Sequence, residues 1–104
     1  MKSIHYYVTE NEKTPFLDWI NNLDIKSQVI VDRLIHRVAA GGAKKSVKNL
    51  KDGVLEIKIP HASGLRVYFG EDGDKIILLL IGGDKKTQSK DIKRAKEYWR
   101  NYGK

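Results

Sequence analysis

The sequence contains no cysteine, only two prolines and only three histidines among its 104 residues. Without cysteine, disulfides, thiolate nucleophiles and cysteine-ligated zinc or iron–sulfur sites are excluded. The histidines, His5, His36 and His61, are far apart in the chain, and none lies in a metal-binding motif such as HExxH. We therefore predict neither a metal site nor a cofactor.

Long apolar runs are also missing. The longest, residues 76–81, is far shorter than the roughly 20 apolar residues that a membrane-spanning helix needs. The start of the chain mixes acidic and polar groups with apolar ones and does not resemble a signal peptide. The length corresponds to one domain, residues 1–104. These features predict a single-domain cytoplasmic protein with no membrane partner.

The net charge of +7 is unevenly distributed along the chain. Residues 1–43 carry five basic and five acidic side chains, whereas residues 44–104 carry fifteen basic and eight acidic ones. The whole excess lies in the second part, where we expect a polyanion such as a nucleic acid to bind. Alternatively, the charge only serves solubility, because this value is ordinary for a small domain.

The first half of the chain predicts one strand and a helical hairpin. Apolar residues alternate from Ile4 to Val8, which is typical of a half-buried strand. Thr14-Pro15 supplies an N-cap and a proline for the start of a short helix. Asp24 is expected to cap a second helix, which Gly41-Gly42 would end. A basic connector, residues 44–51, follows.

The second half predicts three strands and a last helix. Residues 54–59 and 65–69 alternate and are separated by turn residues, which favours a β-hairpin with Ile59 opposite Leu65. The apolar run that follows suits a strand covered on both faces, which Gly82-Gly83 would end. Residues 88–102 have the spacing of an amphipathic helix. The predicted fold is a small α+β domain in the order β-α-α-β-β-β-α, with its helices packed on a twisted, mainly antiparallel sheet.

The hairpin register gathers polar side chains on the face opposite the core. Lys58 then lies across from Arg66, and Glu56 across from Tyr68, with side-chain origins about 5 Å apart. Further lysines can extend this patch, namely Lys85 and Lys86 after the central strand and Lys44, Lys45, Lys48 and Lys51 in the connector. We expect a phosphate to be attracted to this surface.

These residue types could cleave RNA through attack of the RNA's own 2′-OH on the adjacent phosphate. This reaction needs a base for the hydroxyl, positive charge near the phosphorane and a proton for the leaving oxygen, but it needs no metal. Arg66 is suited to stabilise the negative charge of the phosphorane, because its planar guanidinium can bind two phosphate oxygens. Glu56 could be the base, and a lysine with a lowered pKa is the other candidate. Tyr68 could stack on a base or donate a proton. Alternatively, these charges only form ion pairs on a solvated sheet face.

One long stretch of the sequence points to a known family. It comprises LEIKI at 55–59, GLRVYF at 64–69 and LLLIGGDKKTQ at 78–88, followed by Asp91-Ile92, Ala95 and Tyr98-Trp99. In these segments the chain resembles the HigB-type addiction-module killer proteins of the RelE/ParE toxin superfamily. The resemblance extends over nearly the whole chain and implies the same fold.

The resemblance implies a toxin that cleaves mRNA in the ribosomal A site and is neutralised by a co-expressed antitoxin, commonly a helix-turn-helix, HigA-like protein. It places Arg66 at the phosphate-binding arginine, Lys86 at the second basic residue and Lys58 at a basic position of the hairpin. Glu56 stands where RelE has a lysine, and Ile92 where RelE has a base-stacking tyrosine. These differences leave open a ParE-like inhibitor of DNA gyrase and a non-catalytic nucleic-acid-binding module. The candidate catalytic residues are Arg66, Lys86 and Glu56, and the candidate nucleic-acid-binding residues are Lys58, Tyr68, Lys85, Lys51, Lys44 and Lys45.

Overall fold

The computed structural model describes residues 1–103. Within them, five strands form one sheet and three α-helices pack on it. The elements are β1 (Ser3–Tyr6), α1 (Pro15–Ile20), α2 (Ile25–Ala39), β2 (Val47–Asn49), β3 (Leu55–Ile59), β4 (Leu65–Asp72), β5 (Ile76–Gly83) and α3 (Gln88–Tyr102). The predicted α+β class and order of elements are confirmed, with one addition. The segment predicted as a connector contains a 3-10 turn and the short strand β2.

The strands lie in the order β1-β5-β4-β3-β2. β1 is parallel to β5, and the other neighbours are antiparallel. β5 is an inner strand, and its residues from Ile77 to Gly83 are all buried. Its side chains enter two separate apolar clusters, one on each face of the sheet. The prediction that this strand is covered on both faces is confirmed.

The helices cover opposite faces of the sheet. The hairpin of α1 and α2 contributes Phe16, Val31 and Ile35 to one cluster, where they meet the apolar face of β3 and β4. α3 contributes Ala95 to the other cluster, which contains Tyr68 and Leu80. Each face of the sheet therefore has its own core.

Local capping agrees with the sequence at the start of α2. Asp24 accepts a hydrogen bond from the backbone N–H of Ser27 at 3.1 Å and one from the Ser27 hydroxyl at 2.6 Å. Thr14 is the N-cap of α1 with Pro15 at its first position, although its hydroxyl makes no capping bond. Gly41 follows α2 with φ of 91°, the left-handed conformation that ends helices.

In residues 1–103 no helix combines the length and apolar character needed to cross a bilayer.

Candidate nucleic-acid interface

A groove of about 360 Å³ lies at the turn end of the β3–β4 hairpin. Three basic side chains line it, Lys45 from the 3-10 turn, Lys58 from β3 and Arg66 from β4. Ser46, Ile59, Pro60, Gly64 and Leu65 complete its walls. The groove therefore combines concentrated positive charge with a partly apolar wall.

Strand pairing explains why these cations meet. The register of β3 with β4 is the predicted one, and it places Lys58 directly opposite Arg66. β2 pairs with β3 on the other side, and the 3-10 turn leading into β2 brings Lys45 to the same groove. Because the sequence predicts this segment only as a connector, the strand that fixes the position of Lys45 is missed.

Arg66 is held close to the protein surface, and only 12% of its side chain is exposed. Its Nη1 donates a hydrogen bond to the backbone carbonyl of Gly64 at 2.8 Å. Its Nε lies 3.7 Å from Oε2 of Glu56, which is an ion pair but too long for a hydrogen bond. A Cβ placed on Gly64 would lie 3.2 Å from Nη1 of Arg66 and 3.7 Å from Cβ of Lys85. Lys85 therefore approaches the same turn as Arg66.

Glu56 and Tyr68 are fully buried, with relative exposures of 0%. The prediction that they lie on an accessible polar face is wrong, because α3 packs over this face and places Ala95 and Trp99 against the sheet. Neither side chain is therefore accessible to RNA in this conformation, either as a base or as a stacking surface. The sequence identifies the correct face but not the helix that covers it.

The covered face contains several polar groups with incomplete hydrogen bonding. Within the described residues, Oε1 of Glu56, Nε of Arg66 and the hydroxyl of Tyr68 are buried without a hydrogen-bond partner. Burial raises the pKa of Tyr68 well above its usual value, and the negative charge of Glu56 adds to the shift. Gln88 of α3 donates from Nε2 to Oε2 of Glu56 at 3.1 Å. The sequence contains Gln88 in its GGDKKTQ segment but gives no indication of this contact.

Lys85 and Lys86 lie exposed in the turn between β5 and α3. Asp84 fixes this turn by accepting hydrogen bonds from the backbone N–H groups of Lys86 at 2.9 Å and Thr87 at 3.2 Å. Desolvation acts to raise the pKa of Asp84, but these bonds outweigh it and the pKa is lowered. Lys86 is thus presented to solvent next to Lys85, although it does not line the groove.

The remaining predicted lysines lie elsewhere. Lys44 lines a different, mainly apolar groove with Val47, Leu55 and Phe69. Lys51 is exposed in the turn between β2 and β3, with a left-handed φ of 71°. The groove therefore brings Lys45, Lys58 and Arg66 together, with Lys85 beside the Gly64 turn at its edge, and leaves Lys44 and Lys51 apart from them. Within residues 1–103, no group of three or more His, Asp or Glu side chains is arranged to hold a metal ion.

The five-stranded mixed sheet, with a helical hairpin on one face and a helix on the other, defines a small α+β domain of RelE-like fold. Residues 18–100 match the family described as phage derived protein Gp49-like (DUF891), and the chain belongs to this family. The family is toxin-like, in agreement with the predicted RelE/ParE resemblance, whereas the match does not specify the HigB type. The chain is also similar to an uncharacterized protein of Haemophilus influenzae, with 35% identity over 82 residues, 78% of this chain and 82% of the relative.

Proposed function

We propose that this protein is the toxin of a type II toxin–antitoxin module, of the HigB type, and that it cleaves mRNA on the ribosome without a metal ion. The observation that carries the proposal is the groove in which Arg66, Lys58 and Lys45 converge, within a chain of a toxin-like family. A cluster of three cations with an arginine fork is suited to a phosphodiester and to the extra charge of its transition state.

Each groove residue has a distinct role in this proposal. Arg66 binds the scissile phosphate, because its guanidinium can contact two non-bridging oxygens together. Lys45 and Lys85 add positive charge along the RNA backbone, and Lys86 in the adjoining turn contacts RNA beyond the groove. Lys58 lines the groove opposite Arg66. It is the groove residue that we assign to take the proton of the 2′-OH, because Glu56 is fully buried. The 2′ oxygen then bonds to phosphorus, the bond from phosphorus to the 5′ oxygen breaks, and the leaving 5′ oxygen takes a proton from solvent.

The proposal includes a cognate antitoxin, a helix-turn-helix protein of the HigA-like class, which silences the toxin. A partner with an acidic surface would be attracted to the groove and to Lys85 and Lys86, and it would then exclude RNA. The rate of such an association should fall as the salt concentration rises.

Induced expression in a bacterial host tests the function. The wild-type protein is compared with Arg66→Lys, which keeps the charge but loses the fork, and with Lys93→Ala, which removes a lysine from the exposed side of α3. Incorporation of labelled amino acid and thymidine is followed together with the 5′ ends of a reporter mRNA. We expect wild type and Lys93→Ala to stop protein synthesis first and to cut the mRNA within its translated region.

The Arg66→Lys variant should cleave the reporter mRNA at least about 100-fold more slowly than wild type, because one transition-state contact is worth about this factor in rate. An untranslated version of the reporter should remain intact, because cleavage requires the ribosome. If thymidine incorporation stops first and the mRNA stays intact, the protein is instead a ParE-like inhibitor of gyrase. RNA binding without cleavage or growth arrest would indicate a non-catalytic binding module.

A further inference from the structure

Glu56 is a fully buried carboxylate that the groove does not use directly. Carboxylates are rarely buried in proteins unless other groups compensate for the loss of hydration. In this chain Glu56 lies under α3, on the side of the hairpin that also carries Arg66. Its contacts therefore indicate what its burial contributes.

Two side chains from different elements meet at a single oxygen of Glu56. Gln88, the first residue of α3, donates to Oε2 at 3.1 Å. Nε of Arg66, on β4, lies 3.7 Å from the same oxygen. Glu56 thus links the start of α3 to the arginine of the groove.

The guanidinium of Arg66 is restrained on two sides. Its Nε edge faces Glu56, and its Nη1 donates to the carbonyl of Gly64 at 2.8 Å. Nη2 forms no hydrogen bond with the part of the chain that the structure describes. Arg66 itself lines the groove. A guanidinium anchored in this way loses less conformational entropy when it binds an anion than a mobile one does. Its contacts with the anion therefore contribute more to the binding affinity.

We propose that Glu56 is a positioning residue, which orients the guanidinium of Arg66 toward the groove and is itself held by Gln88. Its relevance to RNA cleavage rests on the proposed function, whereas the orientation of Arg66 is a property of the isolated protein. Glu56 acts through Arg66 and does not contact the RNA.

Two other roles for Glu56 lead to different expectations. If only net charge mattered, removing its negative charge would strengthen the binding of an anion in the groove. If Glu56 were the base, its removal would stop cleavage but leave the motion of Arg66 unchanged. Positioning instead predicts weaker anion binding and a more mobile guanidinium after the same substitution. The sign of the change in affinity therefore separates positioning from a simple charge effect.

The test compares wild type with Glu56→Gln, which removes the charge, and Gln88→Ala, which removes the hydrogen bond but keeps the carboxylate. Glu97→Gln is the matched control, because it makes the same chemical change at an exposed position of α3. NMR of the arginine Nε–Hε groups measures solvent exchange and rotation of the Arg66 guanidinium. Affinity is measured for a short RNA with 2′-O-methyl groups throughout, which cannot be cleaved by its own 2′-OH.

We expect the Arg66 Nε–Hε proton to exchange slowly with solvent in wild type and Glu97→Gln, and about tenfold faster in Glu56→Gln. Affinity for the 2′-O-methyl RNA should fall about three- to tenfold in Glu56→Gln, the scale of one ordinary hydrogen bond, because the Arg66 contact is weakened rather than lost. Gln88→Ala should show an intermediate change in both measurements. Amide spectra of each variant establish that it is folded.

Unchanged Arg66 exchange in the folded variants, or tighter RNA binding by Glu56→Gln, would overturn the proposal. If Glu56→Gln does not fold, the test rests on Gln88→Ala alone. An exchange rate of the Arg66 Nε–Hε proton in Gln88→Ala equal to that of wild type would then overturn the proposal. These measurements need no ribosome. A protein that arrests growth without cutting mRNA would therefore contradict the proposed function, while the Arg66 signal would still decide the positioning role.

Discussion

The carboxylate of Asp91 occupies the space that a side chain at Gly83 would need. A Cβ placed on Gly83 would lie 1.8 Å from Oδ2 of Asp91 and 2.8 Å from Oγ1 of Thr87. The last residue of β5 is thus in contact with the first turn of α3, directly after the turn that carries Lys85 and Lys86. The absence of a side chain at Gly83 allows the helix to start there.

The first prediction is that Gly83→Ala destabilises the protein by about 2 kcal/mol or more, because an extra methyl group must displace a buried carboxylate. Urea unfolding monitored by circular dichroism measures the effect. Gly103→Ala is the matched control, since its nearest contacts would be ordinary ones at 3.7 and 3.8 Å. Equal stability of the two variants would show that α3 can shift away from β5 at little cost.

The second prediction concerns Asp91 and pH. Burial raises the pKa of Asp91 above its ordinary value of 3.8, although the 2.5 Å hydrogen bond from Thr87 opposes the shift. The folded protein therefore binds this proton more tightly than the unfolded chain does. The contribution of Asp91 to the free energy of unfolding falls as the pH rises from about 3.8 through the folded-state pKa.

Asp91→Asn lacks this titration, so its stability relative to wild type should increase over that pH range and then level off. Chemical unfolding at several pH values from acid to neutral measures the difference. A constant difference at every pH would contradict the raised pKa.

The third prediction concerns the buried hydroxyl of Tyr68, which has no hydrogen-bond partner among the described residues. Tyr68→Phe removes a desolvated polar group and keeps the ring, so stability should stay the same or rise by about 1 kcal/mol. Because the pKa of Tyr68 is raised in the folded state, wild type should also lose stability relative to the variant above about pH 10. A loss of stability in Tyr68→Phe at neutral pH would indicate that the hydroxyl is hydrogen-bonded in solution.

The fourth prediction separates the two cations of the hairpin. Arg66→Ala should lower the free energy of unfolding by about 3 kcal/mol, because it leaves the buried carboxylate of Glu56 without a counter-charge. Lys58→Ala, at the exposed position directly opposite, should change stability by at most about 0.5 kcal/mol. Adding Glu56→Gln to Arg66→Ala should recover much of the loss. Thermal unfolding of the four proteins tests these values, and a loss in Arg66→Ala that the second substitution does not relieve would exclude this explanation.

Much of the fold could be predicted because its elements carry their own patterns. Leu55, Ile57 and Ile59 alternate cleanly, and burying them with Leu65 in the same core fixes the parity of the register, while the turn residues set its length. β2 could not be predicted in this way. It has three residues and one of them is Lys48, so its strand conformation depends on pairing with β3 rather than on its own sequence.

The candidate site could be predicted only in part. Alternation shows that Glu56 and Arg66 share a face, but it does not show what covers that face. The apolar stripe of α3 is the relevant signal, because a helix carrying Ala95 and Trp99 must bury them against a surface. The separation of Lys44 and Lys51 from the groove depends on the path of the chain around β2, for which the sequence has no periodic signal.

The parallel pairing of β1 with β5 has a consequence for how the protein is made. Ser3–Tyr6 leaves the ribosome long before the strand beside it, Ile76–Gly83. Pairing segments so distant in sequence is slow, because the long loop between them must close first, and domains generally fold as units. The sheet therefore stays open along β1 until β5 has left the ribosome. Until then, β1 has no partner strand in the nascent chain.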